Sequence, residues 1–123
     1  MSKFSTSVEG EILVTYINER PDLKELKGAM TEALSFGTYY KRLWILEAGV
    51  DLERNELEEL GDYGKEIWPR PSMAAIVASD DLSFGVMRMH DVFREQEDHQ
   101  TRVFRTVDEA MSWLLEAETA GEQ

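Results

Sequence analysis

Apolar and polar residues alternate at the start of the chain, as they do in a strand with one buried face. The alternation runs over Phe4–Val8, and Glu9-Gly10 follows as a turn. The next segment, Ile12–Ile17 (ILVTYI), is apolar at nearly every position, which is typical of a strand covered on both faces. The pattern predicts a β-hairpin whose first strand, rich in serine and threonine, lies at the edge of a sheet.

An amphipathic segment after the hairpin predicts the first helix. Its apolar positions recur every three or four residues from Pro21 to about Phe36, and Gly37 is well placed to end it. The next apolar run, Leu43–Leu46, is short and continuous between polar neighbours. Such a run predicts a buried parallel strand.

A second helix is predicted to begin near Asn55, because Asn55 and Glu58 have the spacing of an N-cap and its partner. Pro69 and Pro71 enforce its end, since proline cannot continue a helix. The segment Met73–Ala78 then repeats the buried-strand pattern, with small residues against which a helix can pack closely.

The last third of the chain predicts two more helices and a short strand between them. An aspartate at position 80 or 81 caps a third helix that reaches about Glu97, and Val103-Phe104 forms the strand. The segment Thr106–Glu109 has the spacing of a capping box, which opens the final helix.

The predicted order is β-β-α-β-α-β-α-β-α. It indicates an α/β fold with a mostly parallel sheet of about five strands, a first hairpin that is antiparallel, and four covering helices. No linker, internal repeat or low-complexity stretch interrupts the pattern. We therefore expect residues 1–123 to form a single domain, with an acidic tail that frays from about residue 116 to 123.

Charge and composition narrow the classes of partner. The chain has 25 acidic and 13 basic side chains, a net charge of −12 that repels phosphate backbones and anionic lipid surfaces. We expect neither nucleic-acid binding nor membrane insertion, since no apolar stretch approaches the ~20 residues that a span requires. Without cysteines and without a signal-peptide pattern, the chain is expected to be cytoplasmic and to lack thiolate metal sites and thiol chemistry.

Two segments resemble the SpoIIAA-like proteins, small bacterial relatives of the STAS and CRAL-TRIO domains. They are Ala75–Met89 (AIVASDDLSFGVMRM) and Val103–Leu114 (VFRTVDEAMSWL), and the likeness extends from Glu9 to Leu115. The resemblance implies a STAS-type sheet covered by helices and frequent self-association, with a dimer favoured. It implies no established activity for most members.

One departure from that family concerns its sigma-factor regulators. These are switched by a phosphorylatable serine in a turn that follows a central strand. The corresponding stretch here, Glu47–Asn55, contains no serine or threonine and carries several acidic side chains. A phosphate-driven switch at this turn is therefore not expected.

The two histidines are the natural candidates for acid–base chemistry. His90 lies at the border of the apolar stripe of the third helix, and His99 would lie on about the opposite side if that helix continued. This geometry excludes a metal site shared by the two. The favoured interpretation is a helix-border or loop histidine with a local hydrogen bond, and we expect neither metal nor cofactor.

Several polar residues follow directly on predicted strands, where open α/β sheets hold their ligands. Glu47 or Asp51 could accept a proton at such a crevice, although a carboxylate that caps the next loop is favoured. Ser79 and Asp80 could hold an anion at a helix start, although helix capping is favoured. Trp68, beside a helix end, is the tryptophan best placed to line a cleft.

The third helix has apolar residues on two sides. Its predicted inner face is Leu82, Val86, Met89 and Phe93. The opposite side carries the four candidates for an interface or the rim of a pocket: Phe84, Met87, Arg88 and Arg94. The alternative, that the helix buries both sides between the sheet and a neighbouring helix, stays open.

These observations favour a non-enzymatic protein-interaction or regulatory module that self-associates or docks a protein partner through the third helix. The alternative is a carrier of a small apolar or lipid-like ligand between sheet and helices. Its cavity would be lined by the adaptable side chains Met73, Met87, Met89, Trp68 and Phe84. An enzyme that acts through Glu47 or His90 ranks third, because no assembled catalytic motif is recognisable.

Overall fold

The hydrophobic pattern folds into one five-stranded sheet, in a computed structural model that describes residues 3–68, 71–95 and 97–116. The strands lie in the order in which they occur along the chain, with β1 antiparallel to β2 and all other neighbours parallel. The predicted fold class and element order are confirmed. The strands are β1 (Phe4–Glu9), β2 (Ile12–Ile17), β3 (Lys41–Leu46), β4 (Ser72–Val77) and β5 (His99–Phe104).

Four helices cover the two faces of this sheet unequally. They are α1 (Leu23–Leu34), α2 (Arg54–Ile67), α3 (Asp81–Arg94) and α4 (Val107–Glu116). Each parallel strand is added on the same side of the one before it, and each connection is right-handed. The connecting helices α1, α2 and α3 therefore lie on the same face of the sheet, where they share one core cluster. The helix α4, which no strand follows in the described chain, covers the other face with Ala110 and Leu114.

The helix starts follow the predicted chemistry, with one shift. Asp22 caps α1, and Thr106 Oγ1 accepts a hydrogen bond from Glu109 N at the start of α4. The prediction that Asn55 caps α2 is wrong, because the helix begins earlier. Glu53 N donates to Glu56 Oε1 at 3.0 Å, and this pair has the same spacing as Asn55 and Glu58 but lies two residues before them.

The end of α3 and the start of β5 also differ from the prediction. The helix stops at Arg94, short of Glu97, and the last strand begins at His99, well before Val103. Asp98 lies in the left-handed region (φ 64°) and reverses the chain between them. Its carbonyl accepts from Ser72 N and starts the pairing of β5 with β4, a pairing that the polar sequence of β5 conceals.

The inner face of α3 is not the one predicted. Ser83, Met87, His90 and Arg94 are the buried positions, whereas Leu82 is 52% exposed and Met89 also faces solvent. The prediction fails because two of the four core-facing positions are basic or titratable side chains. A count of apolar residues therefore selects a face rotated by about one residue.

Some expectations fall on residues outside the described ranges, namely Pro69 and most of the tail at 116–123. Among the described residues the longest helices have 14 residues, and none is long and apolar enough to cross a membrane.

Two glycines of α2 let α3 approach very closely. A Cβ at Gly61 would lie 2.9 Å from backbone atoms of Phe93, and a Cβ at Gly64 would lie 2.5 Å from Arg94 Nε. Both glycines are buried, whereas Gly28 in α1 has no neighbour within 4 Å of such a position. The close contact of α2 and α3 therefore depends on the missing side chains.

We expect Gly61→Ala to destabilise the protein by about 1–3 kcal/mol, because the added methyl group meets backbone that cannot rotate away. The matched variant Gly28→Ala places the same methyl group in open space on a helix and is expected to stabilise by up to about 1 kcal/mol. Urea unfolding of both variants measures the difference. Equal effects of the two substitutions would show that α2 and α3 are not packed as described.

Candidate functional site

Polar side chains gather on one face of the sheet, near the amino-terminal ends of its parallel strands. Arg42, Ala74 and Thr101 are neighbours across β3, β4 and β5, and Ser72 lies beside His99 in the same register. Because side chains alternate between the faces of a strand, these residues project toward α1, α2 and α3. The sheet thus presents a polar end beneath three helices.

Two further side chains reach this polar end from α3. His90 and Arg94 lie one turn apart on the buried face of that helix. Gly64 of α2 makes room for Arg94, whose Nε and Cδ occupy the space that a side chain at position 64 would fill. The contact between α2 and α3 therefore positions the arginine.

These residues line one end of a cavity of about 60 Å³ between the sheet and the helices. On this measure a water molecule needs roughly 15 Å³, so the cavity has room for about four waters or for a small organic ion. The polar end consists of Arg42, Arg94, His90, His99 and Thr101. The remaining wall is almost entirely apolar and includes Ile17, Leu26, Leu46, Leu60, Ile76 and Met87.

Arg42 is the least ordinary residue of the site. It is 3% exposed, its guanidinium stacks 3.9 Å from the ring centre of Trp68, and its Nη2 donates to Ser72 Oγ at 3.3 Å. Among the described residues its Nε has no hydrogen-bond partner and no carboxylate forms an ion pair with it. Burial, and then the charge of Arg94, lowers the pKa of Arg42 to about 9, so the group stays cationic at neutral pH.

Both histidines lie in the cavity wall, because α3 ends at Arg94 and His99 belongs to β5, so the continued helix that would have placed them on opposite sides does not exist. His99 is held by Ser72 Oγ at 2.7 Å from Nδ1 and by Thr101 Oγ1 at 2.5 Å from Nε2. Burial, followed by the charges of Arg94 and Arg42, lowers the pKa of His99 to about 3. Burial and then Arg94 lower the pKa of His90 to about 4, and both rings are neutral at pH 7.

The hydrogen bonds of His99 form a chain with a preferred direction. Arg42 can only donate to Ser72 Oγ, which leaves the serine hydroxyl hydrogen for His99 Nδ1. Nε2 then carries the ring proton and donates to Thr101 Oγ1. This arrangement gives the Ser72 hydroxyl hydrogen and the His99 ring proton one acceptor each, and it fixes the neutral ring in one orientation.

The cavity can therefore attract an anion, because none of the described residues in its wall is a carboxylate. Two guanidinium groups supply positive charge in a site largely shielded from water, where such charge acts strongly. Across the described part of the chain, no group of three or more histidine, cysteine, aspartate or glutamate residues could hold a metal ion.

The residues predicted for a crevice at the carboxyl ends of the strands do not line this cavity. Glu47, Asp51, Ser79 and Asp80 are all exposed. Asp80 caps α3 by accepting from Ser83 N at 2.8 Å, and this hydrogen bond lowers the pKa of its carboxyl. The strand order never reverses, so the sheet has no topological switch point at which such a crevice would open.

The remaining candidates separate into two groups. Trp68 is buried beneath Arg42, while Met87 and Arg94 line the cavity itself. Phe84 is half-buried, with the Arg105 guanidinium 4.3 Å from its ring centre, and Arg88 is exposed. The predicted set of Phe84, Met87, Arg88 and Arg94 therefore does not form one continuous surface.

Sequence reasoning missed Arg42 and Ser72, because both stand just outside the apolar runs that mark β3 and β4. A signal was present in the alternation of Arg42, Trp44 and Leu46, which share one face of β3. His99 and Thr101 alternate in the same way in β5. A basic residue two positions from the buried residues of a strand, on the same face, is therefore a sequence sign of a buried polar site.

Comparisons with protein-family models, curated proteins and solved structures find no match to this chain. The resemblance to the SpoIIAA-like family accordingly stays a prediction.

The low pKa values of the histidines predict a loss of stability in mild acid. In the unfolded chain the two histidine rings have a pKa of about 6.5. Below that pH the unfolded chain therefore binds protons that the folded chain does not bind, which favours unfolding. From about pH 6.5 down to pH 5, the free energy of unfolding should fall by up to ~1.4 kcal/mol per pH unit for each histidine. Urea unfolding over this range measures the slope. The double variant His90→Gln/His99→Gln should flatten it, and an unchanged slope would contradict the burial of the rings.

Proposed function

We propose that this protein binds a small organic carboxylate in the cavity between the sheet and helices α1 to α3, without catalysing a reaction. The observation that carries the proposal is the buried guanidinium of Arg42, which has no carboxylate partner among the described residues. An unpaired buried charge costs several kcal/mol, and proteins seldom retain one without a use. A bound anion would supply the missing partner.

The two ends of the cavity suit the two ends of such a ligand. Guanidinium groups match carboxylates in shape and can donate two parallel hydrogen bonds to them. The apolar wall formed by residues such as Leu26, Leu60 and Met87 suits a hydrocarbon body. The ligand is therefore an amphiphilic acid, which is a more specific form of the carrier hypothesis.

The size of the cavity limits that ligand. Room for about four water molecules corresponds to a body of roughly four to six non-hydrogen atoms, because bonded atoms lie closer together than hydrogen-bonded waters and one water gives way to between about one and one and a half such atoms. A short branched acid such as isobutyrate has these dimensions, whereas a long-chain lipid does not. We therefore favour a short-chain acid over the lipid-like ligand of the original alternative.

Replacement of Arg42 separates this proposal from a structural role for the arginine. Arg42→Met keeps the length and packing of the side chain but removes the buried charge. We expect the ligand-free variant to be more stable than the wild type by about 1–4 kcal/mol, because the desolvated charge is gone. We expect it also to lose the stabilisation that isobutyrate gives the wild type, which reaches about 2.7 kcal/mol at a hundredfold excess over Kd.

Urea unfolding with and without isobutyrate measures both effects, and calorimetry measures the affinity. The control is Arg88→Met, which makes the same replacement at an exposed position of α3 and should change neither quantity. Strong destabilisation by Arg42→Met, with isobutyrate binding retained, would overturn the proposal.

A second candidate function is self-association, and the solvent side of α3 favours it. Leu82, Met89 and Val92 recur at helical spacing, and Val92 is 67% exposed. This row replaces the interface predicted around Phe84 and Met87. Two copies that pack this row against itself would form a symmetric dimer.

We expect the double variant Leu82→Glu/Val92→Glu to sediment as a monomer at concentrations at which the wild type dimerises, because like charges would meet across the symmetric contact. Analytical ultracentrifugation measures this change. Leu115→Glu makes the same kind of replacement at a 66% exposed leucine of α4, away from the row, and as the matched control it should leave the equilibrium unaltered. A wild type that stays monomeric over the whole concentration range would rule the interface out.

A further inference from the structure

Both histidines of the chain lie in the wall of a cavity that also holds two arginines. We propose that the cavity takes up its anion together with a proton, which is received by His90 or His99. The inference rests on the proposed function, since it describes how that same site would be regulated. In effect the protein would bind the neutral acid, divided into a carboxylate at the guanidinium groups and a proton on an imidazole.

The charged neighbours of the two rings are mostly cationic. His90 faces Arg94 on its own helix, Arg42 from β3 and His99 from β5. His99 faces the same two arginines and His90 on the cavity side. On its other side it borders an outer groove of about 350 Å³, whose charged groups are Asp91, Glu95 and Arg102.

A bound anion would reverse this local balance. Without it, the loss of hydration keeps both rings neutral, helped by Arg94 at His90 and by Arg94 and Arg42 at His99, with pKa values of about 4 for His90 and about 3 for His99. A carboxylate at the polar end cancels much of the arginine charge and attracts a proton to the nearest imidazole. The pKa of that ring must therefore rise on binding.

The hydrogen-bond geometry offers a place for this proton. In the described residues, Nδ1 of His90 is buried without a hydrogen-bond partner, and the ring lines the cavity. Protonation makes both ring nitrogens donors, so His90 could add a charge-assisted hydrogen bond to the anion. His99 already uses both nitrogens, on Ser72 and Thr101. His90 is accordingly the preferred acceptor of the proton.

The coupling has a definite sign. Between the free and the bound pKa of the accepting histidine, affinity should weaken by up to about tenfold for each unit that the pH rises. Above the bound pKa it should become independent of pH. A site that binds the anion without a proton would show no histidine contribution to this slope.

Ring NMR signals of the full chain provide the test, because only two histidines contribute to them. The probes are isobutyrate and nitrate, and nitrate has no proton of its own to exchange in the range used. Between about pH 5 and pH 7, the ligand-free rings should stay neutral. With either probe near saturation, at least one ring should titrate within this range, which requires a rise in pKa of about one unit or more for His90 and about two or more for His99. His90→Gln should remove the titration if His90 is the acceptor.

Calorimetry in two buffers of different ionisation enthalpy counts the protons independently and uses only the wild type. Uptake of a substantial fraction of one proton for each bound anion at about pH 5.5 supports the inference. Saturable binding with no uptake and with unchanged ring signals overturns it and leaves the proposed function intact. Absence of binding by both probes overturns the proposed function and the coupling together.

Discussion

The buried guanidinium of Arg42, beneath three helices, is the feature on which the properties of the candidate site depend. Arg42 is the second residue of the central strand β3, where the alternation of side chains points it toward α1 to α3. It has exchanged water for the face of Trp68 and one serine hydroxyl, which compensate only part of the lost hydration. Burial in the same region keeps both histidines neutral, and positive charge adds to its effect, that of Arg94 on both rings and that of Arg42 on His99.

The rotation of α3 about its axis determines which groups meet that charge. Ser83, in the first turn of the helix, accepts a hydrogen bond from Val50 N and donates to Val50 O, and so fixes the helix to the loop after β3. Met87, His90 and Arg94 follow on the same face at intervals of three and four residues. The hydrogen bonds of the Ser83 hydroxyl at one end and the glycine contact with α2 at the other therefore orient the histidine and the arginine toward the cavity.

The parts of the fold that the sequence predicted correctly are those in which hydrophobicity alone selects the structure. Strand β2 and the run Leu43–Leu46 are apolar on both faces, and the order of elements follows from such runs and the helices between them. The start of β5 and the inner face of α3 were not predicted correctly, because their buried positions carry His99, His90 and Arg94 instead of apolar residues. A binding site placed within a core breaks the pattern by which the core is recognised, so the same residues caused the errors and form the candidate site.

The surface charge bears on how an anion could reach such a site. The chain carries a net charge of −12, so its field opposes the approach of anions, and of multiply charged anions most of all. A neutral acid meets no such barrier, because it bears no net charge until it dissociates. If the protein takes up a carboxylate together with its proton, as proposed, the acidic surface would not oppose binding of the ligand and would still oppose binding of other anions. The protein would repel phosphates and polyacids before they reach the cavity. The acid would dissociate only inside the cavity, where Arg42 would bind the carboxylate and His90 would accept the proton.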